Sequence, residues 1–499
     1  MTVKFAAGGM GVVSDHPLAT FIGLEVLKNG GNAFDAAIAV SAALSILQPH
    51  MGGPGGDAFL LGFVGDEVIA YMSSGRSPSG FNAEEYLKVK PTRGPLTVTV
   101  PGLVGLWGAL HEEYATMPLD RLLEPAIKLA YNGFRVGWSL AHASQASEAE
   151  LSSYKWARYF KGLKLGDLYR NTEMAKTLRI IATRGWEEFY FGELAEKLVE
   201  ELVEQGVNIG LDDLMEHEVR SVKPLKLEVD GRVLYELPPN TQGLSTLQLI
   251  SALYELDLYK EPFEAPSRIL KWYEATSNVY SFRDLYLGDP DYMRIDPQYY
   301  VEYHKIKEVS TINKQSKSAE GRDTTFFIVS DGYTTIGFIQ SLFHSFGSGL
   351  VALGFPIQNR GVGFAKQKDL PNSPAPKKLP LHTLSILAVD AGDKKYIIGC
   401  VGGDLRPQLH LRVYENIFVY KMHPAKAVNA PRFIYTEFGG KPKVVVEEPL
   451  RLPQTTTITA VQVGYLELHG HVHVGIAFAN KRKVELAGDF RSEGVACAI

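Results

Sequence analysis

A pair of hydroxyl residues, Thr324-Thr325, stands where a long polar stretch of this chain turns into a sheet strand. Residues 305–323 are polar, charged and free of aromatics, whereas residues 325–330 (Thr-Phe-Phe-Ile-Val-Ser) have the β-branched and aromatic composition of a strand. Asp331-Gly332 then reads as a two-residue hairpin turn, with residues 333–339 as the returning strand. Any fold must therefore accommodate a hairpin whose open end carries the Thr324 hydroxyl.

Threonine at such a junction has a particular chemistry open to it. Its hydroxyl is a poor nucleophile until a base removes the proton. A free α-amino group on the same residue, with a reference pKa of about 7.7–8.0, is suited to that work near neutral pH. Thr324 has no free amine while it is joined to Asp323, so its hydroxyl must first attack the Asp323 carbonyl to form an ester that water hydrolyses. The local pattern fits equally an ordinary strand that opens on two threonines.

Composition narrows the class. With 499 residues, 45% hydrophobic and 21% charged, the chain has ordinary globular composition and enough apolar residues for a large core. A net charge of −5 gives no general attraction for nucleic acid or an anionic membrane surface. The first ten residues lack a basic start followed by an apolar run, and no segment approaches about eighteen uninterrupted apolar residues. Two cysteines, Cys400 and Cys497, make no disulfide framework, and a cytoplasmic location is expected.

Residues 18–27 have helical spacing and end at Asn29-Gly30-Gly31, after which Asn32 can cap a second helix lined with alanines. Helical pattern dominates residues 103–204 and 246–285, and strands dominate after Thr324, at 384–389, 396–401 and 472–477. Residues 305–323 form the one linker candidate, with a shorter Pro-rich loop at 370–381. His469, His471 and His473 alternate along a strand and share one face, but no acidic or cysteine ligand stands nearby, so packed or surface histidines are expected. The Gly52-Gly53-Pro54-Gly55-Gly56 loop lacks the Gly-Lys-Ser/Thr ending of a phosphate loop and reads as a turn lining or supporting the site.

In order, blocks of the chain resemble the γ-glutamyltransferase family. They are Lys28-Asn29-Gly30-Gly31-Asn32-Ala33-Phe34-Asp35, Gly52-Gly53-Pro54-Gly55-Gly56-Asp57, Pro238-Pro239-Asn240-Thr241-Gln242-Gly243, the Thr324 block, Phe346-Gly347-Ser348-Gly349, Gly402-Gly403, Ala430-Pro431-Arg432-Phe433 and Asp489-Phe490-Arg491. The resemblance runs from about residue 8 to about residue 496. It implies an α+β fold, a four-layer αββα sandwich of the N-terminal nucleophile hydrolase type built from both halves of the chain. It also implies cleavage between Asp323 and Thr324 of a single domain, giving a large fragment, 1–323, and a small catalytic fragment, 324–499. No cofactor and no metal are implied.

The same resemblance assigns the site. Thr324 is the nucleophile, Ser341 keeps a hydroxyl beside it, and the Gly402-Gly403 pair supplies the oxyanion donors, although on pattern alone it is a strand-end turn. Phe343 replaces a polar residue of the family, and Gly363 stands where an acidic residue grips the substrate's α-amino group. The segments Gln358-Asn359-Arg360-Gly361-Val362-Gly363-Phe364 and Pro380-Leu381-His382-Thr383 look like those of the oxamate amidohydrolase and acylase-like branch. Asn359, Arg360, His382 and Thr383 are thus candidate substrate-binding residues. Arg76 lies about two positions from the family's carboxylate-binding arginine, and either arginine could equally be a surface ion pair.

The expected function is a self-processing threonine amidohydrolase or acyltransferase acting on small carboxylate-bearing amides or γ-glutamyl compounds. A glutathione γ-glutamyl transpeptidase or hydrolase is one alternative, and an unprocessed scaffold or ligand-binding relative is another. The expected partners are a small-molecule amide and the two fragments of one precursor, with neither nucleic acid nor membrane, and self-association into a homo-oligomer is left open.

Overall fold

A computed structural model of the chain describes residues 4–309, 323–437, 442–466, 470–479 and 481–499. Two seven-stranded sheets, every neighbouring pair antiparallel, form its centre. The strands are β1 (Phe5–Gly8), β2 (Gly11–Ser14), β3 (Asp57–Val64), β4 (Glu67–Ser73), β5 (Arg220–Ser221), β6 (Leu225–Val229), β7 (Arg232–Glu236), β8 (Asp323–Ser330), β9 (Thr334–Phe343), β10 (Leu387–Asp390), β11 (Lys394–Val401), β12 (His471–Phe478), β13 (Val484–Ala487) and β14 (Val495–Ala498). One sheet runs β14-β2-β8-β9-β3-β4-β5 and the other β1-β13-β12-β11-β10-β7-β6. Each draws strands from both sides of Thr324.

Side-chain alternation along the strands produces the layering, because successive residues point to opposite faces. On β8, Phe326 and Ile328 face the second sheet and join an inner core with Val13, Phe59, Ile339 and Ile397. Phe327 and Val329, one residue on, face away and pack with helices α1 (Pro17–Lys28) and α2 (Ala33–Leu47). Behind the second sheet, Leu387, Ile398 and Cys400 pack against α3 (Gly243–Glu255), α4 (Pro266–Tyr286) and α5 (Arg406–Phe418). Three cores between four layers make the αββα sandwich. Fifteen consecutive buried residues leave α2 no solvent face, which explains its alanines, and Asn32 caps it through a reciprocal pair with Asp35.

Two local expectations are corrected. The hairpin loop spans three residues, not two: Tyr333 belongs to the turn because Asp331 Oδ1 accepts the amides of both Tyr333 and Thr334, and Gly332 takes a left-handed φ of 87°. The stretch from residue 305 is not all linker, since a helix covers Tyr303–Val309; residues 310–322 lie outside the described residues. No helix among the described residues is long and apolar enough to cross a membrane.

Candidate active site

Asp323 pairs with Phe343 and Thr325 with Gln340, so the register shifts at the strand end that carries Thr324. One residue on β8 there faces two on β9, a bulge of the kind that re-aims side chains. Thr324 is 2% exposed, and its Oγ1 donates to Ser341 Oγ at 3.3 Å. Ser341 Oγ in turn donates to the Asp323 carbonyl at 2.8 Å and accepts the Phe343 amide at 2.8 Å. The carbonyl before Thr324 is therefore polarised by the serine that touches its hydroxyl. A glycine at 56 is needed to bring the preceding loop in, because a Cβ there would meet the Ser341 carbonyl oxygen at 2.5 Å.

Arg360 enters from the other side. Its guanidinium is fully buried, lies 4.5 Å from the Phe343 ring centre, and donates from Nη2 to Ser341 Oγ at 3.3 Å and from Nη1 to Thr383 Oγ1 at 3.4 Å. Ser341 Oγ has two lone pairs, and the Phe343 amide takes the shorter contact, so Thr324 and Arg360 share what is left. Arg360 Nε has no hydrogen-bond partner. Phe343, whose ring covers this cation, holds a left-handed φ of 82°, an unusual conformation for an aromatic residue.

The nearest counter-charge is Asp57, with Oδ2 4.0 Å from Arg360 Nε. Asp57 accepts from Gln358 Nε2 at 2.9 Å and the Gly75 amide at 3.3 Å. His382 Nδ1 accepts the Leu384 amide, leaving Nε2–H to donate to Asp57 Oδ2 at 3.1 Å. Burial dominates all three groups. It raises Asp57 to about 7 against the opposing pull of Arg360, lowers Arg360 to about 9, and holds His382 well below its usual range, so His382 is neutral.

Thr383 links this cluster to the glycine pair. Its carbonyl accepts from Gln242 Nε2 at 2.9 Å, and the same Nε2 donates to the Gly403 carbonyl at 2.9 Å. Gly403 adopts a left-handed φ of 52° after β11, which frees the chain to turn into α5. A continuous chain of contacts thus runs Thr324, Ser341, Arg360, Thr383, Gln242, Gly403, with Gly402 next to it in sequence.

Other sequence-chosen residues sit differently. Asn359 is committed to scaffolding, donating to the Thr92 carbonyl at 2.8 Å and pairing with His344 Nδ1 at 2.9 Å. Arg76 is outside the chain of contacts: 43% exposed at its side chain, it pairs with Asp289 at 2.9 Å and Asp291 at 3.1 Å. Gly363 leaves no room for an acidic side chain, since a Cβ would meet the Leu381 carbonyl oxygen at 2.6 Å. Asp57 was missed as a site residue; its signal was a lone acid closing a glycine loop before an apolar strand. Gln242 likewise lies in the Pro238–Gly243 segment, where its side-chain amide has no local partner to signal the link to Thr383 and Gly403.

Two stacked antiparallel sheets between helical layers, with a buried threonine hydroxyl at the open end of a central strand, are the architecture of an N-terminal nucleophile hydrolase. Residues 19–499 match the Gamma-glutamyltranspeptidase family, and the chain belongs to it. It is 33% identical over 450 residues to the glutathione hydrolase-like YwrD proenzyme of Bacillus subtilis, covering 86% of each chain. It is 32% identical to the oxamate amidohydrolase proenzyme of Klebsiella pneumoniae, covering 86% of this chain and 85% of that one. Its structure resembles the cephalosporin acylase of Bacillus halodurans with a TM-score of 0.89 at 28% identity, covering 100% of this chain and 97% of the other. The protein is a hydrolase or acyltransferase of this family.

Proposed function

We propose that the protein cleaves itself before Thr324 and then hydrolyses small amides that carry a carboxylate. The observation behind the substrate class is Arg360: a fully buried guanidinium with two long hydrogen bonds and an unpartnered Nε, linked through Ser341 to the threonine hydroxyl. A substrate carboxylate offers such a group paired, charge-assisted acceptors that neutral hydroxyls do not. Oxamate, named in one relative, is itself a carboxylate joined to an amide.

In the precursor, Thr324 Oγ attacks the Asp323 carbonyl carbon while Ser341 donates to its oxygen. The C–N bond breaks, the nitrogen takes a proton to become the Thr324 amine, and water hydrolyses the resulting ester to an Asp323 carboxylate. In turnover that amine takes the Oγ proton, and Oγ attacks the substrate amide. The Gly402 and Gly403 amides receive the oxyanion, the Thr324 ammonium passes its proton to the substrate nitrogen as the substrate C–N bond breaks, and water releases the acyl group from Oγ. Transfer from γ-glutamyl donors is the weaker reading, because residues 358–364 hold no acidic side chain for an α-amino group and Gly363 has no space for one.

Intact mass under denaturing conditions tests the first step. Two fragments, 1–323 and 324–499, are expected, with Thr324→Ala remaining one inactive chain. Cleavage of that variant at the same bond would refute the mechanism. A panel of oxamate, N-acyl amino acids, glutathione and γ-glutamyl anilides tests the second; turnover confined to γ-glutamyl donors would reverse the substrate assignment.

A further inference from the structure

On the far side of β8, strand β2 pairs with it only through Gly11, Val12 and Val13, opposite Ser330, Val329 and Ile328. β2 then ends at Ser14, and the chain turns through His16 into α1. The amide of Phe326 takes a side chain instead of a backbone partner there, donating to Asp15 Oδ2 at 2.9 Å. The other oxygen, Oδ1, accepts His471 Nε2 at 2.5 Å and His473 Nε2 at 2.8 Å, both from β12 of the opposite sheet. One buried carboxylate thus ties the start of β8 to both sheets, two residues from Thr324. The two imidazoles hold it ionised against its burial. His469, the third of the alternating histidines, lies outside the described residues.

We propose that Asp15 is a positioning residue for Thr324, held in place by His471 and His473, whose work begins when the Asp323–Thr324 bond is cut. The inference rests on Thr324 being the nucleophile. In the precursor, Thr324 is restrained covalently on both sides, and Asp323 pairs with Phe343. After cleavage the covalent restraint on its amino side is gone. What then fixes the new terminus is the bulged pairing with β9 on one side and Asp15 on the other. Misplacing a reacting group by about 1 Å costs on the order of 100-fold in rate.

The experiment compares Asp15→Ala, His473→Gln and His473→Leu in the full chain, reading the rate of self-cleavage, kcat and KM on the best amide of the panel, and bound metal. Asp15→Ala and His473→Leu should cleave close to the normal rate, with kcat down about 100-fold and KM little changed. His473→Gln, whose amide N–H can still reach the carboxylate, should retain most of kcat. Equal losses in cleavage and kcat, or a Gln variant as poor as Leu, would overturn the proposal. So would one tightly bound transition-metal ion per chain whose removal abolishes turnover, because Asp15 would then be a metal ligand. If Asp15→Ala does not fold, the His473 pair still decides. Turnover surviving in Thr324→Ala would mark failure of the nucleophile assignment; normal kcat in the Asp15 and His473→Leu variants, with Thr324→Ala inert, would mark failure of this one alone.

Discussion

Among the described residues, two buried aspartates, Asp15 and Asp57, accept hydrogen bonds from histidines, and their surroundings drive them in opposite directions. Asp15 accepts three short hydrogen bonds, two from imidazoles, and its carboxyl is held far below the usual range. Asp57 also meets a histidine, yet burial raises it to about 7, and its nearest cation, Arg360, stays 4.0 Å away with Nε unpartnered. In the first cluster both carboxylate oxygens are satisfied, although His473 Nδ1 has no partner, and the carboxylate suits a fixed support. The second leaves Arg360 Nε unpartnered, and under the proposed function a substrate carboxylate would complete it.

The same substitution at both sites separates them most strongly. Asp15→Asn puts an amide N–H against groups that already donate, and should destabilise the Thr324→Ala precursor by about 3 kcal/mol in denaturant unfolding. Asp57→Asn keeps an oxygen for Gln358 and Gly75 and sets its amide against one donor, His382 Nε2–H, so it should cost less, about 1 kcal/mol at pH 6. Equal costs would erase the distinction between the clusters.

A pH series sharpens it. An unfolded aspartate ionises near 4, whereas folded Asp57 keeps its proton to about 7. The folded state therefore binds the extra proton, so this contribution is fully present below about pH 4 and lost as pH rises to about 7. Relative to Asp57→Asn, the parent should lose stability across that window. Ionised Asp57 also competes for Arg360, so KM for carboxylated amides should rise above pH 7 in the parent and stay flatter in Asp57→Asn.

The smallest effect belongs to Arg76. Half-exposed and paired with Asp289 and Asp291, it resembles a surface ion pair worth about 0–1 kcal/mol. Arg76→Lys should change kcat/KM by less than about fivefold, equally for acidic and neutral amides; a selective loss on acidic ones would give Arg76 the anchoring role instead.

How much of this was legible varied with sequence distance. The α2 cap and its alanine face could be read locally, because Asn32 and Asp35 are neighbours and the helical period is short. The Thr324 hairpin was legible in kind, but not its turn length, which depends on Asp331 capping two amides. The layered fold came from resemblance: helices first and strands later fit two domains or an α+β arrangement alike, and β2, β8 and β12 meet from opposite ends of the chain. Alternation put His471 and His473 on one face, but their partner Asp15 lies 456 and 458 residues away, so no spacing could reveal it. Likewise Gly363 reads as a missing acid in sequence, and only packing against Leu381 gives it a steric reason.

The most direct test replaces Arg360 by lysine and compares a carboxylated amide with its neutral isostere after self-cleavage. Lysine keeps the charge but loses the planar fork. Given about 1.5–3 kcal/mol for a hydrogen bond to a charged group, kcat/KM for the carboxylated amide should fall about 10- to 100-fold, mainly through KM. The neutral isostere should barely change, and cleavage before Thr324 should proceed. Equal losses on both amides would contradict the account and leave Arg360 a structural cation.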